Sequence, residues 1–154
     1  MPDTVVTPGG GLIAICPLPD AAALDEMRAW GAAALVSLTA TDEMRRFDIG
    51  AQARAREMHW HHLPIVDFGA PSRAFEAAWD KIGPGLRRLL REGGKIALHC
   101  RGGQGRSGMI AARLLVELGI PPSEAIARVR HCRPGAIETT GQEAHVKNCR
   151  AASD

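Results

Sequence analysis

The sequence predicts a three-layer α/β/α fold built around a central, mainly parallel β-sheet. Short apolar runs of strand length alternate with longer segments in which apolar residues recur at helical spacing, the pattern of α/β proteins. The chain has 154 residues, of which 45% are hydrophobic, so it carries enough apolar material for one sizeable core. We therefore expect a single domain over residues 1–154, with an ordered core from about residue 11 to residue 150.

The first part of the chain predicts three strands and two helices. The run GLIAI is typical of a short buried strand, and Asp20 caps a helix that continues to about Trp30 before Gly31 ends it. AALVSLT predicts a second buried strand, after which Thr41 or Asp42 opens a second helix. One side of that helix carries Met44, Phe47, Ala51 and Ala55. MHWHHLPI predicts the third strand.

A long helix is predicted between the third strand and the fourth. Ser72 is a favourable N-cap residue, and the helical pattern continues from it to about Glu92, with Pro84 expected to kink or split the helix. The same helix carries Arg87, Arg88 and Arg91. A cluster of arginines on one helix predicts a face that is open to solvent.

The last part of the chain predicts one more strand and three helices. GGKIALHC is the fourth predicted strand, and the segment from Ser107 to Leu118 is apolar nearly all round, which indicates a buried helix. GIPPSE ends that helix, and Ser123 caps the next one. The segment RPGAIETTGQEAHV then leads into a final helix.

Composition excludes several functional classes. The net charge of +2 is too small to indicate nucleic-acid binding through bulk charge. The first residues, MPDTVVTPGGGL, do not resemble a secretory signal, and no apolar run approaches the length of a membrane span. The four cysteines lack the paired spacing of a zinc site or a disulfide scaffold. We expect a reduced, cytoplasmic protein that binds neither nucleic acid nor membrane.

The stretch HCRGGQGRSG lies where the fourth strand gives way to the buried helix, a position at which open α/β sheets usually bind ligands. The unpaired N–H groups of a helix start favour an anion, and glycines allow several such groups to converge. Arg106 can hold two oxygens of a phosphate in a bidentate fork. The same positive surroundings favour the thiolate form of Cys100. The loop therefore predicts a thiolate that attacks phosphorus.

Three alternatives explain this loop less well. A nucleotide-binding loop requires a glycine where Cys100 stands and a lysine in place of Arg106. A sulfurtransferase loop also follows its cysteine with arginine and glycine but is usually shorter, and five residues between Cys100 and Arg106 suit a tetrahedral phosphate better. An inert buried cysteine accounts for neither the glycines nor Arg106.

Three segments together carry a resemblance to a known family. HCRGGQGRSG resembles the signature loop of the cysteine-based protein tyrosine phosphatase superfamily. LPIVDFGAPS resembles the mobile general-acid loop of that superfamily, and RPGAIETTGQEAHV resembles its late loop, in which a glutamine positions water. The combination is most similar to the small dual-specificity group of which kinase-associated phosphatase is typical. The resemblance extends roughly from Gly11 to Arg150 and implies the protein tyrosine phosphatase-like fold.

The resemblance implies a role for each residue of the signature loop. Cys100 corresponds to the nucleophile that forms a phosphocysteine, and Arg106 to the clamp that binds phosphate and stabilises the transition state. Ser107 corresponds to the hydroxyl that bonds the sulfur, although it also suits a helix N-cap. His99 corresponds to the residue that orders the loop, the alternative being an ordinary core histidine. The phosphate-binding positions are Arg101, Gly102, Gly103, Gln104, Gly105 and Arg106.

Two further residues match the other segments. Asp67 corresponds to the general acid that protonates the leaving oxygen, although aspartate is also common in turns. Gln142 corresponds to the glutamine that positions water, and its alternative is a surface position on the last helix. The implied substrate is a phosphorylated protein or peptide. A phosphoinositide or another small phosphomonoester is the alternative, because Arg101 keeps a positive charge in the loop. A phosphate-binding module is a further alternative, but it would need Arg106 and not Cys100 and Asp67 together.

Other potentially reactive side chains predict no second site. His59, His61 and His62 resemble a metal cluster, but no further ligand is evident nearby, so we predict neither a metal site nor a cofactor. The remaining cysteines offer possible partners for an oxidised Cys100, and the sequence does not say which of them lies close. They are Cys16, Cys132 and Cys149. The oligomeric state is not indicated.

Overall fold

A computed structural model describes residues 1, 3–44 and 47–154 of the chain. Its strands are β1 Thr4–Val6, β2 Leu12–Cys16, β3 Ala34–Ser37, β4 His59–His62 and β5 Lys95–His99. They form a five-stranded sheet in the order β1-β2-β5-β3-β4. The strand β1 pairs antiparallel with β2, and all other neighbours are parallel. The parallel strands therefore end at one common edge of the sheet.

Six α-helices connect and cover the strands. They are α1 Ala21–Trp30, α2 Ile49–Ala55, α3 Arg73–Arg91, α4 Gly105–Glu117, α5 Pro122–Cys132 and α6 Thr140–Lys147. A short 3₁₀ helix spans Thr41–Met44 between β3 and α2. Among the described residues, no helix is both long enough and apolar enough to cross a membrane.

The helices cover both faces of the sheet. On one face, α1 and α2 bury Leu24, Met27 and Ala53 against the strands. On the other face lie the remaining four helices, and all residues of α4 are buried there. The predicted three-layer α/β/α fold with a mainly parallel sheet is thereby confirmed, and α4 is its central helix.

Two predicted helix starts are confirmed by their capping bonds. The Asp20 carboxylate accepts a hydrogen bond from Ala23 N (2.8 Å), and Gly31 ends α1 in the left-handed conformation with φ 99°. The Ser72 hydroxyl accepts one from Phe75 N (3.2 Å) at the start of α3. α3 is continuous through Pro84, so this proline does not split it.

The N-terminal edge strand was not predicted. β1 has only three residues, too few for a periodic pattern, and it joins the sheet through its antiparallel pairing with β2. Asp3 O also accepts a hydrogen bond from Ile15 N (2.9 Å) beyond the end of the strand. The sheet therefore begins before Gly11.

The predicted helix from Thr41 or Asp42 is wrong in its extent. The structure has the short 3₁₀ helix first and then a separate α2, because the Asp48 carboxylate caps a new start by accepting from Ala51 N (3.0 Å). Ala55 is the last residue of α2. Residues 45 and 46, which the prediction included, lie outside the described residues.

Two local predictions in the second half are also wrong. The N-cap of α5 is Pro121 rather than Ser123, and Pro122 is its first residue, because the first turn of a helix needs no N–H group there. Arg87 does not lie on a solvated face of α3. It is buried, and its guanidinium donates to Glu117 at 2.8 Å.

Candidate active site

The loop between β5 and α4 places a thiol at the start of the central helix. Cys100 follows directly after β5 and is 3% exposed. Its Sγ lies 2.8 Å from Ser107 Oγ and accepts a hydrogen bond from Gly103 N at 3.2 Å. Gln104 occupies the N-cap position of α4, so the alternative of Ser107 as the helix cap is wrong, and its hydroxyl faces the sulfur. The Cys100 sulfur therefore has a backbone N–H and a hydroxyl group within hydrogen-bond distance.

The carbonyl groups of residues 100–104 are all held from outside the loop. The Cys100 carbonyl accepts from His99 Nδ1, and the Arg101 carbonyl accepts from Leu18 N (3.0 Å each). The Arg133 guanidinium donates to the carbonyls of Gly102 and Gly103 (3.0 Å each). The Gln104 carbonyl accepts from Gly108 N (2.9 Å) and Ile137 N (3.3 Å). A trans peptide directs the next N–H away from its carbonyl. The N–H groups of residues 101–105 therefore turn away from these donors, and Gly103 N, which donates to the sulfur, is a direct instance. We call this ring of amides the cradle.

One glycine of the loop is required by a close approach of backbone atoms. Gly103 has φ 73°, and a Cβ there would lie 2.5 Å from Pro17 N, in the segment between β2 and α1. A Cβ on Gly105 would lie 2.4 Å from Glu138 Oε1, but this atom is the end of a flexible side chain. Nothing lies within 4 Å of a Cβ built on Gly102. Gly103 thus serves backbone packing, which allows the loop to curl tightly.

Arg106 is buried beneath the cradle at 1% exposure. Its two terminal nitrogens donate to the Glu43 carboxylate (2.9 Å each), and one also donates to Ile65 O (3.0 Å). The hydrogen bond from Arg106 lowers the pKa of the Glu43 carboxyl, so Glu43 is a firm anionic partner. Within the described part of the chain, Arg106 Nε has no hydrogen-bond partner. A buried donor of this kind suits an oxyanion.

The predicted general acid lies at the same site. Asp67 is in the loop between β4 and α3, and its Oδ1 lies 3.2 Å from a terminal nitrogen of Arg106. The same oxygen accepts a hydrogen bond from Phe68 N (3.0 Å). Phe68 adopts φ 61°, a conformation that is unusual for a bulky residue, and its ring is exposed. The structure brings Asp67, Arg106 and Cys100 to one end of the sheet, although they are far apart in sequence.

This geometry can be compared with known proteins. The family model Tc-R-P, described as "Polymorphic toxin system, DSP-PTPase phosphatase", matches residues 17–120. The chain belongs to this family. Its matched segment contains α1 to α4 and therefore Glu43, Asp67, Cys100 and Arg106. The resemblance found in the sequence is confirmed, and the chain is a small dual-specificity-type protein tyrosine phosphatase.

Similar proteins agree with this assignment. Cyclin-dependent kinase inhibitor 3 of Rattus norvegicus is 41% identical over 85 residues, which cover 53% of this chain and 39% of that protein. The chain thus spans well under half the length of this relative. Tk-PTP in its active form is 32% identical, with a TM-score of 0.75, and 94% of this chain and 93% of that chain are covered. Kinase associated phosphatase, with its catalytic site cysteine replaced by serine, is 26% identical, with a TM-score of 0.74 and 88% and 82% covered.

The phosphatase holds Gln142 inside the protein rather than on its surface. The residue is fully buried at the start of α6, where it forms a capping box with Thr139. Its Oε1 accepts from Glu138 N (2.9 Å) and Thr139 N (3.3 Å), and its Nε2 donates to Gly69 O (3.1 Å). The surface alternative for Gln142 is therefore wrong. Both ends of the amide are occupied, and one of them holds the loop that carries Asp67.

The phosphatase contains functional neighbours that the sequence analysis missed. Glu43 binds Arg106, Arg133 holds two carbonyls of the cradle, and Ser37 Oγ lies 2.6 Å from His99 Nε2. Arg133 is itself paired with Asp3 (2.6 Å). The available signal for Ser37 and Glu43 was position, because both lie at or just after the end of β3, at the edge where the parallel strands end.

The other cysteines and the histidine run have local roles. Cys16 packs in the core between the sheet and α1, and burial raises the pKa of its thiol to about 12. The thiols of Cys132 and Cys149 donate to backbone carbonyls of Thr4 and His145 (3.2 Å each). His62 accompanies Trp60 in a stacked pair at 5.3 Å. Among residues 1, 3–44 and 47–154, no group of three or more His, Cys, Asp or Glu side chains forms a metal-sized cluster.

Proposed function

We propose that this phosphatase hydrolyses phosphotyrosine, and also phosphoserine and phosphothreonine, in protein substrates through a phosphocysteine intermediate. The observation that carries the proposal is the set of donors at the site of Cys100. These are the amides of the cradle and the Nε of buried Arg106, which has no hydrogen-bond partner among the described residues. Converging donors in a site shielded from water stabilise a tetrahedral oxyanion and a thiolate together.

In the first step, Cys100 Sγ attacks phosphorus while Arg106 and the cradle hold the three non-bridging oxygens. The S–P bond forms as the bond from phosphorus to the leaving oxygen breaks, and Asp67 gives its proton to that oxygen. The contact between Asp67 and Arg106 supports this assignment, because it holds the carboxyl at the mouth of the cradle. Glu43 fixes the guanidinium plane by binding both terminal nitrogens, so that Arg106 needs no reorientation.

In the second step, water attacks phosphorus and Asp67 accepts a proton from it. The S–P bond breaks, and Ser107, whose Oγ lies 2.8 Å from the sulfur, stabilises the departing thiolate with a hydrogen bond. For Gln142 we propose that its amide orients the attacking water after Nε2 releases Gly69 O. That release couples the water-positioning role to movement of the Asp67 loop.

The surface around the cradle favours a protein substrate. Two large apolar side chains flank Asp67, Val66 at 81% exposure and Phe68 at 61%. Leu18, whose N–H holds the Arg101 carbonyl, is also exposed. Apolar side chains at the mouth of a site suit the flanking residues of a peptide better than the polar ring of an inositol phosphate.

The proposed dual specificity rests on the expectation of a shallow site. The chain contains no tyrosine, so it lacks the usual tyrosine of the aromatic clamp with which the large tyrosine-specific enzymes enforce a long side chain, and Phe47, Phe68 and Trp60 are the alternative residues for a wall. A shallow cleft allows the shorter phosphoserine and phosphothreonine side chains to reach Cys100. We further propose a cytoplasmic location, because the nucleophilic thiol must remain reduced.

The test compares wild type with Cys100→Ser on matched phosphotyrosine and phosphothreonine peptides, a phosphoinositide, and thiosulfate with cyanide, all in excess chelator. Wild type is expected to hydrolyse both peptides, whereas the serine variant has no turnover because its hydroxyl does not ionise in the same cradle. Tungstate, a phosphate analogue, should still bind the variant, since the amides and Arg106 remain.

Appreciable turnover by Cys100→Ser rejects the covalent mechanism. Preference for the phosphoinositide rejects the protein substrate, and cyanide-dependent sulfur transfer rejects phosphatase chemistry. Activity that is lost with chelator and restored by a divalent ion means that the histidine run was misread.

A further inference from the structure

We propose that Ser37 and Trp60 are positioning residues for the nucleophile. They form a hydrogen-bond relay with His99 that fixes the His99 tautomer and thereby orients the first peptide of the cradle. The proposal rests on the proposed function, since the peptide in question follows Cys100. None of the three segments that resemble the phosphatase superfamily includes Ser37. Trp60 lies among the histidines of β4, which have no role in the proposed mechanism.

The relay crosses three adjacent strands. Trp60 Nε1 on β4 lies 2.8 Å from Ser37 Oγ on β3, and Ser37 Oγ lies 2.6 Å from His99 Nε2 on β5. On the other side of the ring, His99 Nδ1 lies 3.0 Å from Cys100 O. Ser37 and His99 are direct register partners, and both are fully buried. Water therefore does not substitute for either side chain.

The direction of each hydrogen bond follows from the chemistry of its atoms. Cys100 O is a carbonyl and accepts only, so His99 Nδ1 carries a proton and donates. Burial lowers the pKa of His99 to about 4, an effect that His62 and Arg106 reinforce and that the Cys100 carbonyl and Glu43 oppose. The ring is therefore neutral near pH 7, and its Nε2 accepts. Ser37 donates its one proton to Nε2 and accepts from Trp60, whose indole N–H is only a donor.

The consequence at the site is the orientation of one N–H group. The Nδ1 proton holds the Cys100 carbonyl, and the trans peptide then directs Arg101 N–H to the opposite side, into the cradle. In the other neutral tautomer, a lone pair of Nδ1 would face the carbonyl oxygen. The two acceptors would repel each other, and the peptide after Cys100 would turn. Ser37 selects the productive tautomer because its proton occupies Nε2.

The chain offers a matched control for Ser37. Thr39 is also fully buried just beyond β3, and within the described residues its hydroxyl has no hydrogen-bond partner. Thr39→Val and Ser37→Ala each remove one buried hydroxyl near the same sheet edge, but only the second breaks the relay. Ser37→Thr restores the hydroxyl on a strand that accepts β-branched residues.

The tautomer of His99 is read from ¹⁵N chemical shifts of the histidine rings, and kcat and KM are measured on a phosphotyrosine peptide. Wild type, Ser37→Thr and Thr39→Val should show the Nδ1–H tautomer and similar kcat. Ser37→Ala should show a mixture of tautomers, with kcat reduced about tenfold and KM within about twofold. Trp60→Phe, which removes only the indole N–H, should reduce kcat about threefold and serves if Ser37→Ala does not fold.

The proposal is overturned by an Nε2–H or doubly protonated His99 in wild type. It is also overturned by a Ser37→Ala variant, or a folded Trp60→Phe variant in its place, that retains both the tautomer and kcat. The tautomer and tungstate affinity are measured without turnover, so failure of the relay is distinguishable from failure of the proposed reaction, which Cys100→Ser tests.

Discussion

Arg106 has two sets of partners in one buried position. Its terminal nitrogens bind Glu43 and approach Asp67, and within the described residues its Nε has no hydrogen-bond partner. In the proposed reaction, Glu43 aligns the guanidinium before phosphate arrives, and Asp67 lies where the leaving oxygen departs. At the scale of single residues, Arg106 contacts two carboxylates. We assign Glu43 a structural role and Asp67 a chemical role.

The chemical duty of Asp67 predicts a leaving-group effect. Asp67→Ala should reduce kcat by about 10²- to 10⁴-fold on phosphothreonine, and much less on an aryl phosphate whose phenol departs without protonation. The measurement is kcat against leaving-group pKa for wild type and variant. Asp80→Ala, which removes an exposed carboxylate on α3, should retain the wild-type slope. Equal slopes for all three proteins would assign the acid role to another carboxylate.

Which site residues were predictable depended on sequence distance. Cys100, Arg106 and Ser107 lie in one short motif whose chemistry is legible from residue type and spacing. Glu43 binds Arg106 across 63 positions, and Ser37 contacts His99 across 62. No local pattern encodes such pairs, because they follow from strand order. Knowing that β3 lies beside β5 would have been sufficient to place both residues at the site.

At the scale of elements, the loop after β5 takes its shape from its neighbours. Its carbonyls are bound by β5, by the segment after β2, by α4 and by the residues that follow α5. Sequence patterns predicted the strand and the helix on either side of the loop but not these clamps. They also misplaced the start of α5 and the extent of the helix after β3. The cap at Asp48 and the proline at the first position of α5, Pro122, decide these boundaries.

The two central glycines of the loop should respond differently to the same substitution. Gly103→Ala should lower the free energy of unfolding by about 1–3 kcal/mol, because of its positive φ and the approach of Pro17 N. Gly102→Ala should leave it unchanged, since a Cβ there meets nothing within 4 Å. Urea unfolding of the three proteins provides the measurement. Equal stability of both variants would mean that the loop relaxes without cost.

The hydrogen bonds that Arg133 donates to the loop predict that its removal lowers activity even though the nucleophile and the general acid remain. Arg133→Ala frees the carbonyls of Gly102 and Gly103, so the N–H groups of Gly103 and Gln104 lose their fixed direction. We expect kcat/KM to fall about 10- to 100-fold, with tungstate affinity falling in parallel. The control is Arg128→Ala on α5, the helix that precedes Arg133, which breaks only an exposed pair with Glu124. Unchanged tungstate binding in Arg133→Ala would mean that Arg133 does not hold the N–H groups of the cradle in the direction that binds an oxyanion.

At the scale of the whole molecule, α4 connects two buried charged clusters. Its first turn holds Arg106, and its last turn holds Arg113 and Glu117, which are paired at 3.0 Å. Glu117 also accepts from Arg87 (2.8 Å) and from Trp79 Nε1 (3.0 Å). A solvated position was predicted for Arg87, because its acidic partners Glu117 and Asp154 lie far from it in sequence.

The buried cluster of Arg87, Arg113 and Glu117 should affect the stability of the fold and leave catalysis intact. Glu117→Gln removes one carboxylate that is shared by two buried arginines and should lower the free energy of unfolding by about 1–3 kcal/mol, because Arg87 keeps Asp154 and Arg113 keeps Glu76. Per folded molecule, kcat should equal that of wild type. Glu124→Gln, at an exposed pair, should change stability by less than about 1 kcal/mol. A fall in kcat for folded Glu117→Gln would show that strain travels along α4.

The externally bound carbonyls of the cradle also have a thermodynamic consequence. The peptide planes from Cys100 to Gln104 lose their rotational freedom when the chain folds, because their carbonyls are bound by neighbouring residues of β5 and α4 and by the distant Leu18, Arg133 and Ile137. An arriving phosphate therefore immobilises little backbone, and its binding carries a small conformational entropy penalty. The same rigidity acts on the departing product, which leaves an unchanged ring of donors. Orthophosphate and other tetrahedral oxyanions are consequently expected to compete with substrate in the free enzyme.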